Sequence, residues 1–241
     1  MPEAGRVIAG SARGRRLVHP GEGTRPFGDR VKQAIFGSLD PLLPGARILD
    51  LFAGSGAGGI EALSRGAASC DFVERDADAV LAIEENLRRT GLAGPAARLH
   101  RRDVRSFLDG ERGPYDVVLV DPPYGDAVML GVLEQLGRGR LLGPRSVVVA
   151  RHFWRDALPE RAGRLVRIRE RRVGEGVVSI YAPGEPEPAP LPEARASGET
   201  EARPEPGVDR LRDAPAPGAR GVAVAKRGGA TEGNGPDGEA E

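Results

Sequence analysis

The sequence predicts an α/β fold, a Rossmann-like doubly wound, mostly parallel seven-stranded sheet that ends in an antiparallel hairpin. Between residues 46 and 182, apolar strand-like runs alternate with helical patterns, which is typical of βαβ units. Near-continuous apolar runs such as VVLV and VVVA are typical of strands buried on both faces. Two later runs, RLVRIRERRV and GVVSIYA, are joined around residues 174–176 and predict the antiparallel pair.

The predicted elements follow one another in a regular order. They are the strand ARILDLF, a helix near GGIEALSRG, the strand SCDFVE, the helix DADAVLAIEENLRRTG, the strand ARLHRRD, a short helical turn, the strand YDVVLVD, a helix from Ala127 to Leu136, and the strand SVVVA. Ahead of them, RVIAGSARGRRLV predicts a short hairpin. An amphipathic helix then follows from the three- and four-residue spacing of Val31, Ala34, Ile35, Leu39 and Leu42.

Charge and composition divide the 241 residues into three segments. Residues 184–241 hold 12 acidic and 7 basic residues, are rich in proline and glycine, and contain no aromatic residue. This composition predicts a disordered tail. Residues 1–44 form a basic arm, with seven basic and three acidic residues among the first 32, and residues 45–183 form the α/β domain.

Several classes of protein are disfavoured by the same sequence. It has no apolar run of the ~18 residues that a membrane span needs, and it does not open with a signal segment. The single cysteine, Cys70, excludes a disulfide framework and a cysteine zinc site, and His19, His100 and His152 form no ligand cluster. We therefore predict a cytoplasmic monomer with no membrane contact and no metal.

A glycine-rich loop follows the first strand of the α/β domain. Gly54, Gly56 and Gly59 satisfy G-x-G-x-x-G, and Glu74 lies 20 residues beyond Gly54, which also matches the dinucleotide fingerprint. Asp50 favours S-adenosylmethionine over NAD, because a carboxylate repels a pyrophosphate and favours an ammonium or a sulfonium ion. In either interpretation Glu74 can accept the ribose hydroxyls.

Two further strand ends carry acidic residues. Asp103 can reach an adenine amine or cap the helix that begins at Val104. In VDPPYGD, Asp121 precedes two prolines whose fixed φ makes a rigid corner that offers only acceptors, namely the Asp121 carboxylate and the Pro122 carbonyl. Beside them, the Tyr124 ring can stack on a base. This corner predicts methyl transfer to an exocyclic amine of a nucleobase, which has to leave any helix to be reached.

The combination of motifs resembles the bacterial 16S ribosomal RNA guanine-N2 methyltransferase family of the RsmD type. The matching stretches are RVIAGSARGRRL, GTRPFGDRVKQAIFGSL, LDLFAGSGAGGIEALSRGA, FVERD and VLVDPPY, within residues 5–182. The resemblance implies a class I S-adenosylmethionine-dependent methyltransferase that acts on 16S rRNA in a small-subunit particle. One departure is Ala150-Arg151, where the family often has a glutamate.

The resemblance also implies a role for each matching residue. The catalytic set is Asp121, Pro122 and Tyr124. The cofactor set is Asp50, Phe52, Gly54, Gly56, Glu74, Asp103 and Val104. In the basic arm we predict RNA contacts at Arg13, Arg15, Arg16, Arg25 and Arg30.

Other functions stay open at this point. An adenine-N6 methyltransferase also uses a DPPY corner, although a DNA enzyme usually needs an additional target-recognition region. Methylation of a protein glutamine is disfavoured, because its corner usually begins with Asn. A nucleic-acid binding module with a lapsed enzyme fold is the alternative from another class. Trp154 can be either a loop anchor or a base stacker.

Overall fold

In the computed structural model of the chain, the described residues are 3–21, 28–110, 113–123 and 128–184. Their strands are β1 Glu3–Arg6, β2 Arg16–Val18, β3 Arg47–Leu51, β4 Ser69–Glu74, β5 Ala97–Arg101, β6 Tyr115–Val120, β7 Leu142–Phe153, β8 Arg161–Ala162, β9 Leu165–Val173 and β10 Gly176–Pro183. Their α-helices are α1 Asp29–Leu39, α2 Ala57–Ser64, α3 Ala77–Thr90, α4 Val104–Gly110 and α5 Val128–Arg138. The tail that we predict to be disordered lies, from residue 185 onwards, outside the described residues.

Eight strands form one sheet in the order β5-β4-β3-β6-β7-β10-β9-β8. The strands β3 to β7 are parallel to one another, whereas β10 is antiparallel to both β7 and β9. The strand order reverses between β3 and β6, and ligands of such sheets bind at this switch point beyond the carboxyl ends of the strands. The predicted fold class is confirmed. The sequence analysis missed only β8, whose two residues are too few to show a period.

Alternate residues of the central strands pack into two different cores. Ile48 and Val117 belong to the core beneath α1, α2 and α3, whereas Leu49 and Val118 belong to the core beneath α4 and α5. Each central strand therefore needs apolar residues at consecutive positions, as the runs VVLV and VVVA indicated. The sheet is held rigidly between two helical layers, and this fixes the loops at its carboxyl edge.

The N-terminal hairpin of β1 and β2 is fastened to the α/β domain by buried polar side chains. Glu61 of α2 accepts hydrogen bonds from the amides of Ile8 and Ala9 at 2.9 and 3.1 Å. Asn86 of α3 exchanges two hydrogen bonds with the backbone of Val18, at 2.7 and 2.9 Å. The predicted hairpin and the helix that follows it are thus confirmed. Glu61 binds the hairpin backbone to α2, a role that the sequence analysis did not identify.

Two residues of the arm differ from the sequence-based expectation. The sequence spacing predicts Leu42 on the buried face of the helix, but Leu42 is 46% exposed. A 3-10 turn, Asp40–Leu42, contains Pro41 and ends the α-helical period after Leu39. Lys32, counted among the basic residues of the arm, is fully buried, and its Nζ donates to the Arg6 carbonyl at 2.6 Å. Burial lowers the pKa of Lys32, against the attraction of Glu61.

Candidate methyltransferase site

One cavity of about 530 Å³ lies at the switch point of the sheet. This volume falls within the ~300–1,000 Å³ of small-molecule sites. The predicted residues that line it are Asp50, Phe52, Gly54, Glu74, Asp103, Val104, Asp121 and Pro122. Further lining residues include Arg75, Asp76, Arg102 and Arg151. The structure thus brings the ends of β3, β4, β5, β6 and β7 together around one space.

The loop after β3 adopts backbone conformations that explain its glycines. Gly54 and Gly56 have φ of 54° and 73°, in the left-handed region, and Gly56 is the N-cap of α2. Phe52 also has a positive φ, 58°, which is uncommon for a residue with a Cβ atom. Such conformations persist where the surrounding structure imposes them, and they cluster at functional sites. Gly59 is required by the packing of α2 on the sheet, because a Cβ atom there would collide with Cys70 and Phe72.

One amide of this loop and one amide in the first turn of α2 are already bound to carboxylates. The Gly54 amide donates to Glu74 Oε2 at 2.9 Å, and the Gly59 amide donates to Asp50 Oδ2 at 2.8 Å. In a dinucleotide site, amides at such a loop and helix N-terminus bind the pyrophosphate instead. The geometry therefore disfavours the NAD interpretation that the glycine spacing alone left open.

Asp50 is buried, with only 4% of its surface exposed. Burial raises the pKa of Asp50 to about 8, and the nearby Asp121 and Glu74 carboxylates add to this effect, whereas the Gly59 amide opposes it. An isolated buried carboxylate is unfavourable, so a cation in the cavity stabilises its charged form. The site is suited to a positively charged ligand.

Glu74, at the end of β4, and Asp103, after β5, line another part of the cavity. Glu74 Oε1 accepts from the amides of Arg75 and Asp76 at 2.8 and 2.9 Å, so that three backbone amides hold this carboxylate in place. Asp103 Oδ1 accepts from two amides in the first turn of α4, at 3.0 and 3.3 Å. The helix-capping alternative for Asp103 is therefore realised, while its side chain also lines the cavity.

Asp121 follows β6, lines the cavity and is paired with an arginine. Arg151 Nη1 donates to Asp121 Oδ2 at 2.9 Å, and the two side chains are only 10% and 23% exposed. Burial raises the pKa of Asp121, and the guanidinium of Arg151 acts in the opposite direction. Sequence reasoning noted Arg151 only as a departure from the family. Its position at the end of β7, the neighbour of β6, was the available signal.

Among the described arginines of the arm, none lines the cavity. Arg13, Arg15 and Arg16 are exposed on the hairpin and Arg30 is exposed on α1. Two predicted site residues, Tyr124 and Arg25, lie outside the described residues. Within residues 3–21, 28–110, 113–123 and 128–184, no group of three or more His, Cys, Asp or Glu side chains is placed to hold a metal ion. No helix in those ranges is long and apolar enough to cross a bilayer.

Similarity to known proteins agrees with this geometry. Residues 5–182 match the family model described as Conserved hypothetical protein 95. YlbH of Bacillus subtilis (strain 168), named as a candidate rRNA methyltransferase, is 39% identical over 184 residues, which are 73% of this chain and 97% of YlbH. Ribosomal RNA small subunit methyltransferase D of Escherichia coli (strain K12) is 33% identical over 177 residues, covering 73% and 88%.

A solved structure is similar over the same region. The Escherichia coli protein yhhF, described as a candidate methyltransferase, has a TM-score of 0.65 and 31% identity, covering 74% of this chain and 97% of that protein. The family match spans more than half of the chain, and its fold is that of class I methyltransferases. The chain therefore belongs to the Conserved hypothetical protein 95 family, that of the RsmD-type methyltransferases.

Proposed function

We propose that this chain transfers a methyl group from S-adenosylmethionine to the exocyclic N2 amine of a guanine in 16S ribosomal RNA. The observation that carries the proposal is the position of Asp121. Its carboxylate lies at a rigid proline corner and lines the cavity whose other walls are the acidic ends of β3, β4 and β5. The relatives named as ribosomal RNA methyltransferases support the choice of substrate.

The donor set of the cavity fits S-adenosylmethionine. Asp50 favours a positive charge, Glu74 offers acceptors to the ribose hydroxyls, and Asp103 with Val104 borders the space for an adenine ring. Phe52 and Gly54 complete the wall between them. When it is bound there, the cofactor supplies an electrophilic methyl group on its sulfonium sulfur.

The corner residues prepare the nucleophile. The lone pair of an exocyclic amine is delocalised into the base, which makes the nitrogen a weak nucleophile. Acceptors at Asp121 and the Pro122 carbonyl hold the two amine hydrogens and favour a pyramidal nitrogen whose lone pair faces the methyl group. One amine proton has to leave after transfer. Since burial raises the pKa of Asp121, this carboxylate is a stronger base than an exposed aspartate.

The target guanine has to be unstacked to reach this corner. Enzymes that modify a base extrude it from a helix or use a single-stranded region. In this proposal Tyr124 stacks on the extruded base, and Arg13, Arg15, Arg16, Arg25 and Arg30 bind phosphates. The proposed substrate is the small-subunit particle, and a single copy of the chain in the cytoplasm suffices for this chemistry.

The test combines nucleoside mass spectrometry with one substitution. Small-subunit particles and free 16S rRNA from a strain without this activity are incubated with the chain and S-adenosylmethionine, and N2-methylguanosine is the expected product. Asp121→Ala should lower the rate by about 10²–10³ while the chain still binds the cofactor. Asp116→Asn is a matched control, because Asp116 is an exposed aspartate at the other end of β6 that accepts from the Arg47 amide.

The possible outcomes separate the competing functions. N6-methyladenosine as the product would overturn the guanine assignment and keep the amine chemistry. Full activity of Asp121→Ala would overturn the mechanism. Cofactor binding without transfer to any nucleic acid would favour the alternative of a binding module.

A further inference from the structure

An exposed tryptophan lies at the same edge of the sheet as Asp121. Arg151, the partner of Asp121, is a residue of β7, and this strand continues to Phe153 before Trp154 follows. The β9–β10 turn reaches the same edge, since Gly176 pairs with Phe153 and the Trp154 amide donates to the Glu175 carbonyl at 3.1 Å. Trp154 is 42% exposed there. It is thus an open aromatic surface beside the catalytic corner.

Two arginines are held against this ring. The guanidinium carbons of Arg155 and Arg172 lie 4.8 and 4.9 Å from the centroid of the Trp154 ring. Both distances are within the ~6 Å of a cation–π contact. The contact with Arg172 joins the end of β7 to β9, although β10 runs between these two strands. We call Trp154, Arg155 and Arg172 the tryptophan clamp.

The charges of the clamp are not neutralised by carboxylates. Among the described residues, neither Arg155 nor Arg172 forms an ion pair, although Asp156 and Glu175 are close in sequence. An aromatic ring orients a guanidinium without cancelling its charge. The clamp therefore presents two oriented guanidinium groups to solvent.

We propose that the tryptophan clamp binds backbone phosphates of the substrate RNA beside the target nucleotide. This inference rests on the proposed function. Trp154 lies three residues beyond Arg151, a distance of ~10 Å along an extended strand. The clamp is therefore too far away to hold the target base at Asp121, and it is placed to meet a flanking nucleotide. A guanidinium group can donate two parallel hydrogen bonds to a phosphate. Because the ring already restricts the conformations of both arginines, less side-chain entropy is lost on binding.

The experiment measures binding of a 16S rRNA fragment as a function of salt concentration. The slope of log K against log salt is negative, and for a single strand each lost phosphate contact reduces its magnitude by ~0.7. Arg155→Ala with Arg172→Ala should therefore reduce the magnitude of the slope by about 1.4. With this difference in slope, the double variant should bind RNA about tenfold more weakly than the wild-type chain near ~0.15 M salt, and equally well near ~1 M. KM for RNA should rise, while kcat and the affinity for S-adenosylmethionine stay unchanged.

Further variants test the role of the ring and the specificity of the effect. Trp154→Ala should reduce the magnitude of the slope by less than the double variant does, and Trp154→Phe, which keeps an aromatic face, should retain most of the wild-type slope. Arg138→Ala is the matched control. Arg138 is also exposed, but it pairs with Glu134 and ends α5 at the opposite edge of the sheet.

An unchanged salt slope in the double arginine variant would overturn the phosphate contact. A wild-type slope and affinity in Trp154→Ala would overturn the orienting role of the ring. Failure of the proposed function looks different, because the wild-type chain itself would then form no N2-methylguanosine in any 16S rRNA substrate.

Discussion

Asp50 provides a direct test of the proposed cofactor, because burial raises the pKa of this carboxyl to about 8. In the ligand-free chain at neutral pH it therefore holds its proton. A ligand whose positive charge faces Asp50 favours the ionised form, so binding has to release this proton. We expect the affinity for S-adenosylmethionine to increase as the pH rises towards the pKa.

The size of the effect follows from the ionised fraction of Asp50. With a pKa of about 8, this fraction grows about 30-fold between ~pH 5.5 and ~pH 7, and the affinity should grow with it. The α-amino group of the ligand, with an ordinary pKa of ~8, stays charged over this window. No histidine belongs to the described lining of the cavity, so no imidazole of the wall titrates in the same window.

Stability of the ligand-free chain should change in the opposite direction. Folded Asp50 binds its proton more tightly than unfolded Asp50 does. The free energy of unfolding therefore falls as the pH rises from the ordinary pKa of 3.8 towards about 8. Asp50→Asn removes this pH-dependent loss and keeps an oxygen that accepts from the Gly59 amide.

Calorimetry in two buffers of different ionisation enthalpy measures both the affinity and the protons released. Near ~pH 6.5, wild-type chain should release about one proton per cofactor bound. Asp50→Asn should bind more weakly, show a flat pH profile over the window and release no proton. Wild-type affinity that stays constant over the window, or binding without proton release, would refute the idea that Asp50 faces the positive charge of the cofactor.

Three further predictions concern the proline corner, the packing of helix α2 and the tail. Arg151→Met removes the charge that lowers the pKa of Asp121, so the acid limb of the kcat/KM profile should move to higher pH, and Arg151→Lys should restore much of it. Gly59→Ala should destabilise the fold by ~1–3 kcal/mol in denaturant melts, because its Cβ has no space. Gly37→Ala, with an open helical site, should be neutral or stabilising by up to ~1 kcal/mol. A chain that ends at Pro183 should melt and methylate like the full chain, and lost activity would give the tail a catalytic role.

Much of the candidate site was predictable because its residues lie at the ends of strands. Asp50, Glu74 and Asp121 each close or follow an apolar run in the sequence, and Asp103 follows the mixed strand-like segment ARLHRR. The carboxyl ends of parallel strands share one edge of a sheet. Strand order and direction therefore suffice to gather them. The glycine loop, the hairpin and the proline corner were also predictable, because the backbone preferences of glycine and proline follow from the residue type alone.

Contacts between side chains that are distant along the chain follow from the three-dimensional packing and not from the local sequence. Periodicity marks Lys32 as a polar position of a helix, and only the packing of the hairpin against α1 shows that it is buried. Arg151 reaches Asp121 because β7 pairs with β6 in one particular register. Arg172 reaches Trp154 because β7 and β9 both pair antiparallel with β10, so that their carboxyl ends lie at the same edge of the sheet. Strand register and rotamers are set by the whole core, and the local sequence that predicts an element does not contain that information.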